Sequence, residues 1–143
     1  MTPEKYKKIL EIDTLARTMW GEARGQGESG LQAVANVVMN RVAEARKRRK
    51  YWWGNDVIGV CQKPFQFSCW NIDDPNRPKA IAVDKKNRDF CLCLKIAEKA
   101  LSGKLPDVTN GATHYHTKAI SPYWARGESP CAVIGDHVFY RIL

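Results

Sequence analysis

The spacing of apolar residues predicts helices over much of the chain. An apolar stripe recurs at helical intervals over residues 3–23 and stops in a glycine-rich break. A second stripe predicts a helix from about residue 29 to residue 42, since Ser29-x-x-Gln32 has the form of a capping box. A third stripe covers residues 85–102 and ends at Gly103, a residue type favoured just after a helix.

The pattern changes in the remaining segments. Residues 51–80 contain several prolines and glycines and predict an irregular stretch, with one short helical turn and an extended or strand-like "FQFSCW" at 65–70. Residues 111–120 and 132–142 are rich in β-branched and aromatic residues, which indicates strands, and Gly135-Asp136 is placed to turn a hairpin. We therefore predict an α+β, mainly helical fold of three to five helices with a small antiparallel sheet toward the C-terminus. Residues 1–143 are predicted to form a single domain.

The charge of the chain favours an anionic partner. The formal net charge is +8, and "RKRRK" at 46–50 places five cations in a row before Tyr51, Trp52 and Trp53. Such a run is typical of a solvated surface, but aromatic residues beside cations can also stack on bases in a nucleic-acid site. The same aromatics could stack on sugar rings or pack against the core. Both readings of the run stay open from the residues alone.

Several classes of protein and site are not indicated. No stretch approaches about 18 apolar residues, so we expect neither a membrane span nor a stable membrane association. The N-terminal "MTPEKYKKILEID" does not have the pattern of a signal peptide, so synthesis in the cytoplasm without one is expected. The five cysteines are expected to be reduced thiols, and with the three histidines they match no standard zinc spacing. We predict no metal and no cofactor.

Glu22 is the first candidate for chemistry. On a helical wheel it falls almost in line with Leu15 and Met19, at the edge of the apolar stripe and in the last turn of the first helix. A carboxyl group at a boundary between core and solvent suits a general acid, and the nearby glycines would let a substrate approach the backbone. The alternative is a surface glutamate paired with Arg17 or Arg24. Position alone leaves both open.

Five blocks, in order, resemble one protein family. They are "GEARG" (21–25), "GLQAVANVVMNRV" (30–42), "FQFSCW" (65–70), "DVTNGATHYHTKAISPYWAR" (107–126) and "IGDHVFYR" (134–141). Together they resemble the cell-wall hydrolase family typified by the spore cortex-lytic enzyme SleB. The resemblance implies a lysozyme-like arrangement of helices around a cleft. It also implies cleavage of peptidoglycan glycan strands between N-acetylmuramic acid and N-acetylglucosamine, with the motif glutamate, here Glu22, as the catalytic acid.

A lone glutamate fits one version of this chemistry better than the other. A hydrolase with two catalytic carboxylates needs an acid and a nucleophile or base, whereas a lytic transglycosylase needs one group that first gives and then takes a proton. The other candidate acids, including Asp73, Asp74, Asp107 and Asp136, lie in predicted loops or turns, where acids are common. We therefore expect a lytic transglycosylase, with a hydrolytic muramidase acting at the same site as the alternative.

The same blocks suggest supporting residues around Glu22. The predicted set is Gln66, Ser68, His114, Tyr115, His116 and Trp124. Gln66 could bind an acetamido group, Ser68 could hydrogen-bond Glu22 or a sugar, and Tyr115 matches a family tyrosine that could hold the substrate. The two histidines should share the strand face opposite Tyr115, as structural groups or sugar contacts rather than metal ligands. Trp70 and Trp124 could stack on pyranose rings or belong to the core edge.

These expectations lead to a biological setting. The compact chain, with neither a signal peptide nor a wall-binding module in its sequence, suggests a phage endolysin that acts as a monomer on peptidoglycan in the periplasm or cell wall. A bacterial housekeeping enzyme is the alternative origin. The positive charge would attract the protein to an anionic envelope. From other classes, a basic nucleic-acid-binding module and a catalytically inactive wall-binding protein of the same fold remain alternatives, although nucleic acid is not the expected partner.

Overall fold

The fold is helical with one small sheet. The computed structural model describes all 143 residues, and its helices are α1 (Pro3–Ala23), α2 (Gly27–Lys47), α3 (Val57–Gln62), α4 (Asn76–Ala82) and α5 (Arg88–Leu101). The strands are β1 (His114–Thr117), β2 (Ala132–Ile134) and β3 (His137–Tyr140), and they form an antiparallel sheet with β3 in the centre. Short 3-10 turns occur at Ser68–Trp70 and Tyr123–Ala125. The predicted α+β, mainly helical fold class is confirmed.

Local sequence explains where α1 and α5 begin and end. The Thr2 hydroxyl accepts the Lys5 N–H at 3.2 Å and caps α1. Asn87 caps α5 in the same way, by accepting the Phe90 N–H at 3.0 Å. At its other end, α5 closes with Gly103 at a φ of +72°, while the next residue, Lys104, donates its N–H to the Lys99 carbonyl at 2.9 Å. This is the glycine-terminated end that the sequence predicts.

Three local predictions were wrong. The second helix begins at Gly27 and not at Ser29, because positive φ angles at two glycines, Gly25 and Gly27, turn the chain directly from α1 into α2. The segment "FQFSCW" forms a 3-10 turn at its C-terminal half instead of a strand. Helix α4 lies in the stretch predicted to be irregular. Its prolines, Pro75 and Pro78, lie at the cap and in the first turn, where a missing N–H costs nothing.

The core forms around α1, which packs against the other four helices. Most of its C-terminal half is buried, whereas its first eight residues are exposed. Large side chains that are fully enclosed include Leu15, Met19, Leu31, Val34, Val38, Trp53, Phe67 and Phe139. No helix combines the length and the apolar character that crossing a membrane requires.

The sheet brings the C-terminal part of the chain to the end of α1. Gly135, with a φ of +57°, and Asp136 turn the predicted hairpin, so that Ile134 lies opposite His137. Strand β1 joins the other edge of β3, with Tyr115 paired to the buried Phe139. This register directs the Tyr115 side chain toward α1.

Candidate active site

The Glu22 carboxylate is held by three hydrogen-bond donors. Tyr115 donates its hydroxyl to Oε1 at 2.6 Å, and the Cys69 backbone N–H donates to Oε2 at 3.1 Å. The Ser68 hydroxyl adds a longer bond to Oε2 at 3.4 Å. Three separate parts of the chain, the end of α1, the turn at 68–70 and strand β1, therefore meet at one half-buried carboxylate.

No cation pairs with Glu22. Arg17 is bound to Asp13 at 2.9 Å, while Arg24 donates to the Asn76 side chain at 2.6 Å and packs over the Trp20 ring. The alternative of a surface glutamate in an ion pair with Arg17 or Arg24 does not describe this carboxylate. Donors that are fixed to the protein, not mobile side-chain cations, set its position.

The turn at 68–70, which contacts Glu22, packs closely against helix α1. Trp70 Nε1 donates to the Thr18 hydroxyl at 2.9 Å, one helical turn before Glu22. A side chain on Gly21 would place its Cβ 2.8 Å from both Cβ and Sγ of buried Cys69. The missing side chain at Gly21 thus lets the turn approach closely enough for the Cys69 N–H to reach Glu22. The sequence analysis gave Gly21 a different role, as one of the glycines that end the first helix and let a substrate approach the backbone.

Tyr115 is a neutral donor to Glu22. Burial first, and then the adjacent Glu22 carboxylate, raise the pKa of the Tyr115 hydroxyl well above its ordinary value. The ring packs against Phe67, His137 and Phe139, at centroid separations of 6.4, 5.0 and 5.6 Å. These contacts fix the hydroxyl that donates to Glu22.

Glu22 opens into a cleft of about 470 Å³. Five of the six residues predicted to support it line the same cleft: Gln66, Ser68, His114, Tyr115 and Trp124. Three exposed aromatic residues, Trp52, Phe65 and Tyr123, also line it and are defined here as the aromatic rim. Glu22 is the only carboxylate among the lining residues.

Two predicted contacts have structural partners outside the cleft. His116 Nδ1 lies 2.7 Å from the Thr117 carbonyl oxygen, so this nitrogen carries the ring hydrogen, and Nε2 accepts the Tyr140 hydroxyl at 2.9 Å. Both ring nitrogens are therefore used within the sheet region. Trp70 is bound to Thr18 and lines a neighbouring groove instead of the Glu22 cleft. Neither residue lines the Glu22 cleft, and a sugar contact by either of them stays a prediction.

Gln66 lines the cleft but directs its amide nitrogen into the protein. The Nε2 group donates to the carbonyls of Trp53 at 2.9 Å and Val60 at 2.8 Å. Both amide hydrogens are thus used, which gives Gln66 a structural role in holding the segment after α3. The side-chain oxygen Oε1 has no hydrogen-bond partner. Since that oxygen could accept an acetamido N–H, the binding of an acetamido group by Gln66 stays a prediction.

Arg41 is a cleft residue that the sequence reasoning missed. It is only 7% exposed, its Nε donates to the Thr113 carbonyl at 2.7 Å, and its guanidinium packs over Trp53 and Phe67. Burial lowers its pKa to about 10, so it stays cationic at neutral pH without a carboxylate partner. The available sequence feature was a charged residue beside the apolar stripe of α2.

His114 is a neutral group on the wall of the cleft. Its Nδ1 lies 2.9 Å from the Thr113 hydroxyl, and its ring packs near Trp53 and Trp124. Burial first, and then the Arg41 charge, lower the pKa of His114 to about 4. Near neutral pH His114 is therefore an uncharged part of the cleft wall.

We predict that the lowered pKa of His114 makes the folded protein sensitive to acid. Between pH 6.5 and about 4 the unfolded chain takes up a proton at this residue and the folded chain does not, so stability falls as the pH falls. A His114→Gln variant should show a smaller drop in Tm across this range. Some drop should remain, because burial also lowers the pKa of His137. The measurement is thermal unfolding at several pH values. Equal slopes of Tm against pH for wild type and variant would contradict this prediction.

The aromatic residues after the basic run do not form a base-stacking surface. Trp53 is fully buried and donates its Nε1 to the Arg41 carbonyl at 2.9 Å, while Tyr51 packs edge-on against it. Within the run, Lys47 and Arg48 lie near the Glu44 carboxylate, at 3.6 and 3.7 Å. Trp52 is the exposed aromatic of the three, and it belongs to the cleft. The alternative of a nucleic-acid site thus keeps only Trp52 as an exposed aromatic partner beside the run.

The titratable side chains form no compact metal cluster. No group of three or more His, Cys, Asp or Glu residues is close enough to hold an ion, and all five cysteines are unpaired. The cleft itself presents one carboxylate, its three donors, a buried guanidinium and a partly aromatic wall.

Comparison with known proteins places this cleft in a family. The model of the Cell Wall Hydrolase family matches residues 25–140, a range that begins just after Glu22. The structure is similar to the catalytic domain of the Bacillus cereus SleB protein, with a TM-score of 0.68 and 26% identity over 92% of this chain and 89% of that one. It is also similar to the catalytic domain of the germination-specific lytic transglycosylase SleB from Bacillus anthracis, with a TM-score of 0.69 and 26% identity over 92% and 93% of the two chains.

The comparison with curated protein sequences gives no match. The family match covers most of the chain, including the segments that carry the donors to Glu22, and the structural matches cover 92% of the chain. The resemblance seen in the five sequence blocks is confirmed, and the chain belongs to the Cell Wall Hydrolase family.

Proposed function

We propose that this cell wall hydrolase cleaves peptidoglycan glycan strands between N-acetylmuramic acid and N-acetylglucosamine, with Glu22 as the acid and base. The observation that carries the proposal is a single carboxylate, bound by three donors, at the wall of a cleft that contains no second acid. The family, and the lytic transglycosylase activity of the similar Bacillus anthracis protein, support a glycosidase acting on the wall.

In the proposed first step, Glu22 protonates the glycosidic oxygen and the bond from that oxygen to C1 of the muramic residue breaks. The carboxylate left behind is stabilised by the Tyr115 hydroxyl and the Cys69 N–H, which already point at it. Because both donors are fixed by packing, little reorganisation accompanies the charge change. The substrate's own N-acetyl group can stabilise the positive charge that develops at C1.

In the proposed second step, Glu22 takes the proton from the C6 hydroxyl of the same muramic residue. The C6 oxygen then bonds to C1 and closes a 1,6-anhydro ring, and Glu22 regains the proton it gave in the first step. One carboxylate suffices for both transfers, whereas a two-carboxylate hydrolase needs a second acid across the cleft. The lining residues favour the transglycosylase on this ground, and a muramidase that uses Glu22 and water is the second candidate.

We predict that digests of purified peptidoglycan contain 1,6-anhydromuramic ends. Mass spectrometry distinguishes the outcomes, because the anhydro product lacks one water relative to a hydrolysed strand. Reducing muramic acid ends would favour the muramidase, and reducing N-acetylglucosamine ends would show cleavage of the other glycosidic bond. Free stem peptides with intact glycan strands would show an amidase and contradict the proposal.

We further propose that the enzyme is a phage endolysin that reaches the peptidoglycan of its host as a monomer. The net charge of +8 supports attraction to an anionic envelope, and this attraction should weaken with added salt. A bacterial housekeeping enzyme is the alternative origin. Sedimentation of the protein with intact cells at low and high salt tests the electrostatic contribution.

A further inference from the structure

The aromatic rim is unusually open to solvent. Phe65 is 87% exposed, Tyr123 80% and Trp52 60%, although all three line the cleft that contains Glu22. Large apolar side chains are more often enclosed, and packing does not explain the position of a ring that leaves most of its surface in water. The feature that the three residues share is their location at the cleft.

Phe65 is also held in an unfavourable backbone conformation. Its φ is +65°, in the left-handed region that disfavours residues with a bulky side chain. A hydrogen bond from its N–H to the Asn71 side chain, at 3.1 Å, fixes this conformation. Glycine or asparagine would adopt the same φ more readily, so the phenyl ring at this position is kept although it lowers the stability of the fold.

We infer that Phe65, with Tyr123 and Trp52, forms a platform on which pyranose rings of the glycan strand stack. A sugar ring presents apolar C–H faces between its polar edges, which complement the face of an exposed aromatic ring. The continuity of the platform with the Glu22 cleft identifies the occupant as the strand whose cleavage is proposed above. This inference rests on that proposed function.

Phe65 also lines a neighbouring groove together with residues 70–75, so its ring stands between that groove and the catalytic cleft. A strand that leaves Glu22 in this direction crosses Phe65. Stacking there contributes equally to the ground state and the transition state, since the ring lies away from the bond that breaks. Loss of the ring should therefore raise KM more than it lowers kcat.

The test is a Phe65→Asn variant. Asparagine tolerates a positive φ but offers no stacking face, so the Tm should equal or exceed that of the wild type. Binding to sacculi, measured by sedimentation in a Glu22→Gln background, should weaken about tenfold, as expected for the loss of a buried part of a phenyl ring. In the Glu22-containing enzyme, KM for solubilised glycan strands should rise to a similar extent. Phe65→Trp should retain binding.

Two further variants sharpen the test. Tyr123→Ala should also weaken binding, and it removes a ring that contributes little packing. Tyr6→Ala is the matched control, because Tyr6 is 57% exposed on α1 but does not line the cleft, and its removal should change neither binding nor KM.

The outcomes separate the inference from the proposed function. A wild-type enzyme that cleaves strands, with a Phe65→Asn variant of unchanged binding and KM, overturns the platform and leaves the function intact. A wild-type enzyme that neither binds nor cleaves sacculi overturns both. A binding loss seen only with peptide-bearing sacculi, and not with peptide-free glycan strands, overturns the assignment to pyranose rings.

Discussion

A Glu22→Gln protein is expected to fold like the wild type and to lyse cell walls about 10²- to 10⁴-fold more slowly. Glutamine has the shape of glutamate and its carbonyl can still accept the Tyr115 hydroxyl, but it can neither give nor take the proton that cleavage requires. It also offers one acceptor fewer to the Cys69 N–H and the Ser68 hydroxyl. The loss in stability should be about 1 kcal/mol, far smaller than the loss of activity.

The measurement is the fall in turbidity of a cell-wall suspension, read together with thermal unfolding. Glu28→Gln is the matched control, because it removes one charge from an exposed glutamate of α2 that does not line the cleft. That variant should lyse walls at close to the wild-type rate. If the Glu22→Gln protein also lyses walls at close to the wild-type rate, the acid–base assignment is wrong. A loss of activity caused by unfolding of the Glu22→Gln protein would be visible in its melting curve.

The three long helices were predictable because the apolar stripe of each lies within its own segment of the chain. The apolar stripes of α1, α2 and α5, and the Gly135-Asp136 turn, each depend on neighbouring residues in the chain. Helix α4 was missed because short helices that begin at a proline have no stripe long enough to detect. The 3-10 turn at Ser68–Trp70 was missed because its geometry depends on Thr18 and Glu22, which are distant in sequence.

The residues of the site likewise divide into those that the sequence could reveal and those that it could not. Glu22 could be found from its position on a helix edge and from its motif, and Tyr115 from its place in the fourth block. The Cys69 N–H could not be found, since a backbone group leaves no trace in the sequence. Arg41 was hidden for a different reason: helical periodicity reads a charged residue as solvent-facing, and here its guanidinium is enclosed by Trp53 and Phe67.

Gln26 is a further link between distant segments that the sequence did not predict. In this structure its amide donates to the Asp136 carboxylate at 3.3 Å, while its carbonyl accepts the Asp136 N–H at 3.2 Å. A glutamate here could not donate to Asp136 and would place two anions together. Gln26 therefore joins the start of α2 to the β2–β3 turn.

The second large effect is expected at a residue with no functional group. Gly21→Ala should lower the rate of wall lysis about 10²-fold, since a misplacement of about 1 Å at a catalytic group has this cost. The new Cβ would lie 2.8 Å from Cβ and Sγ of Cys69 and would push the turn away from α1. The Cys69 N–H would then no longer reach Glu22. The fall should appear mainly in kcat.

Rescue at Cys69 distinguishes positioning of Glu22 from a general loss of structure. In the Gly21→Ala background, Cys69→Ala removes the contact with Sγ and keeps the contact with Cβ, whereas Cys69→Gly removes both. Activity should therefore rise in that order, measured against the corresponding Cys69 single variants. A Gly21→Ala protein of normal activity, or an activity that neither Cys69 change improves, would contradict the steric account. Since neither residue takes part in proton transfer, a graded recovery would show that the distance between α1 and the turn at 68–70 controls the reactivity of Glu22.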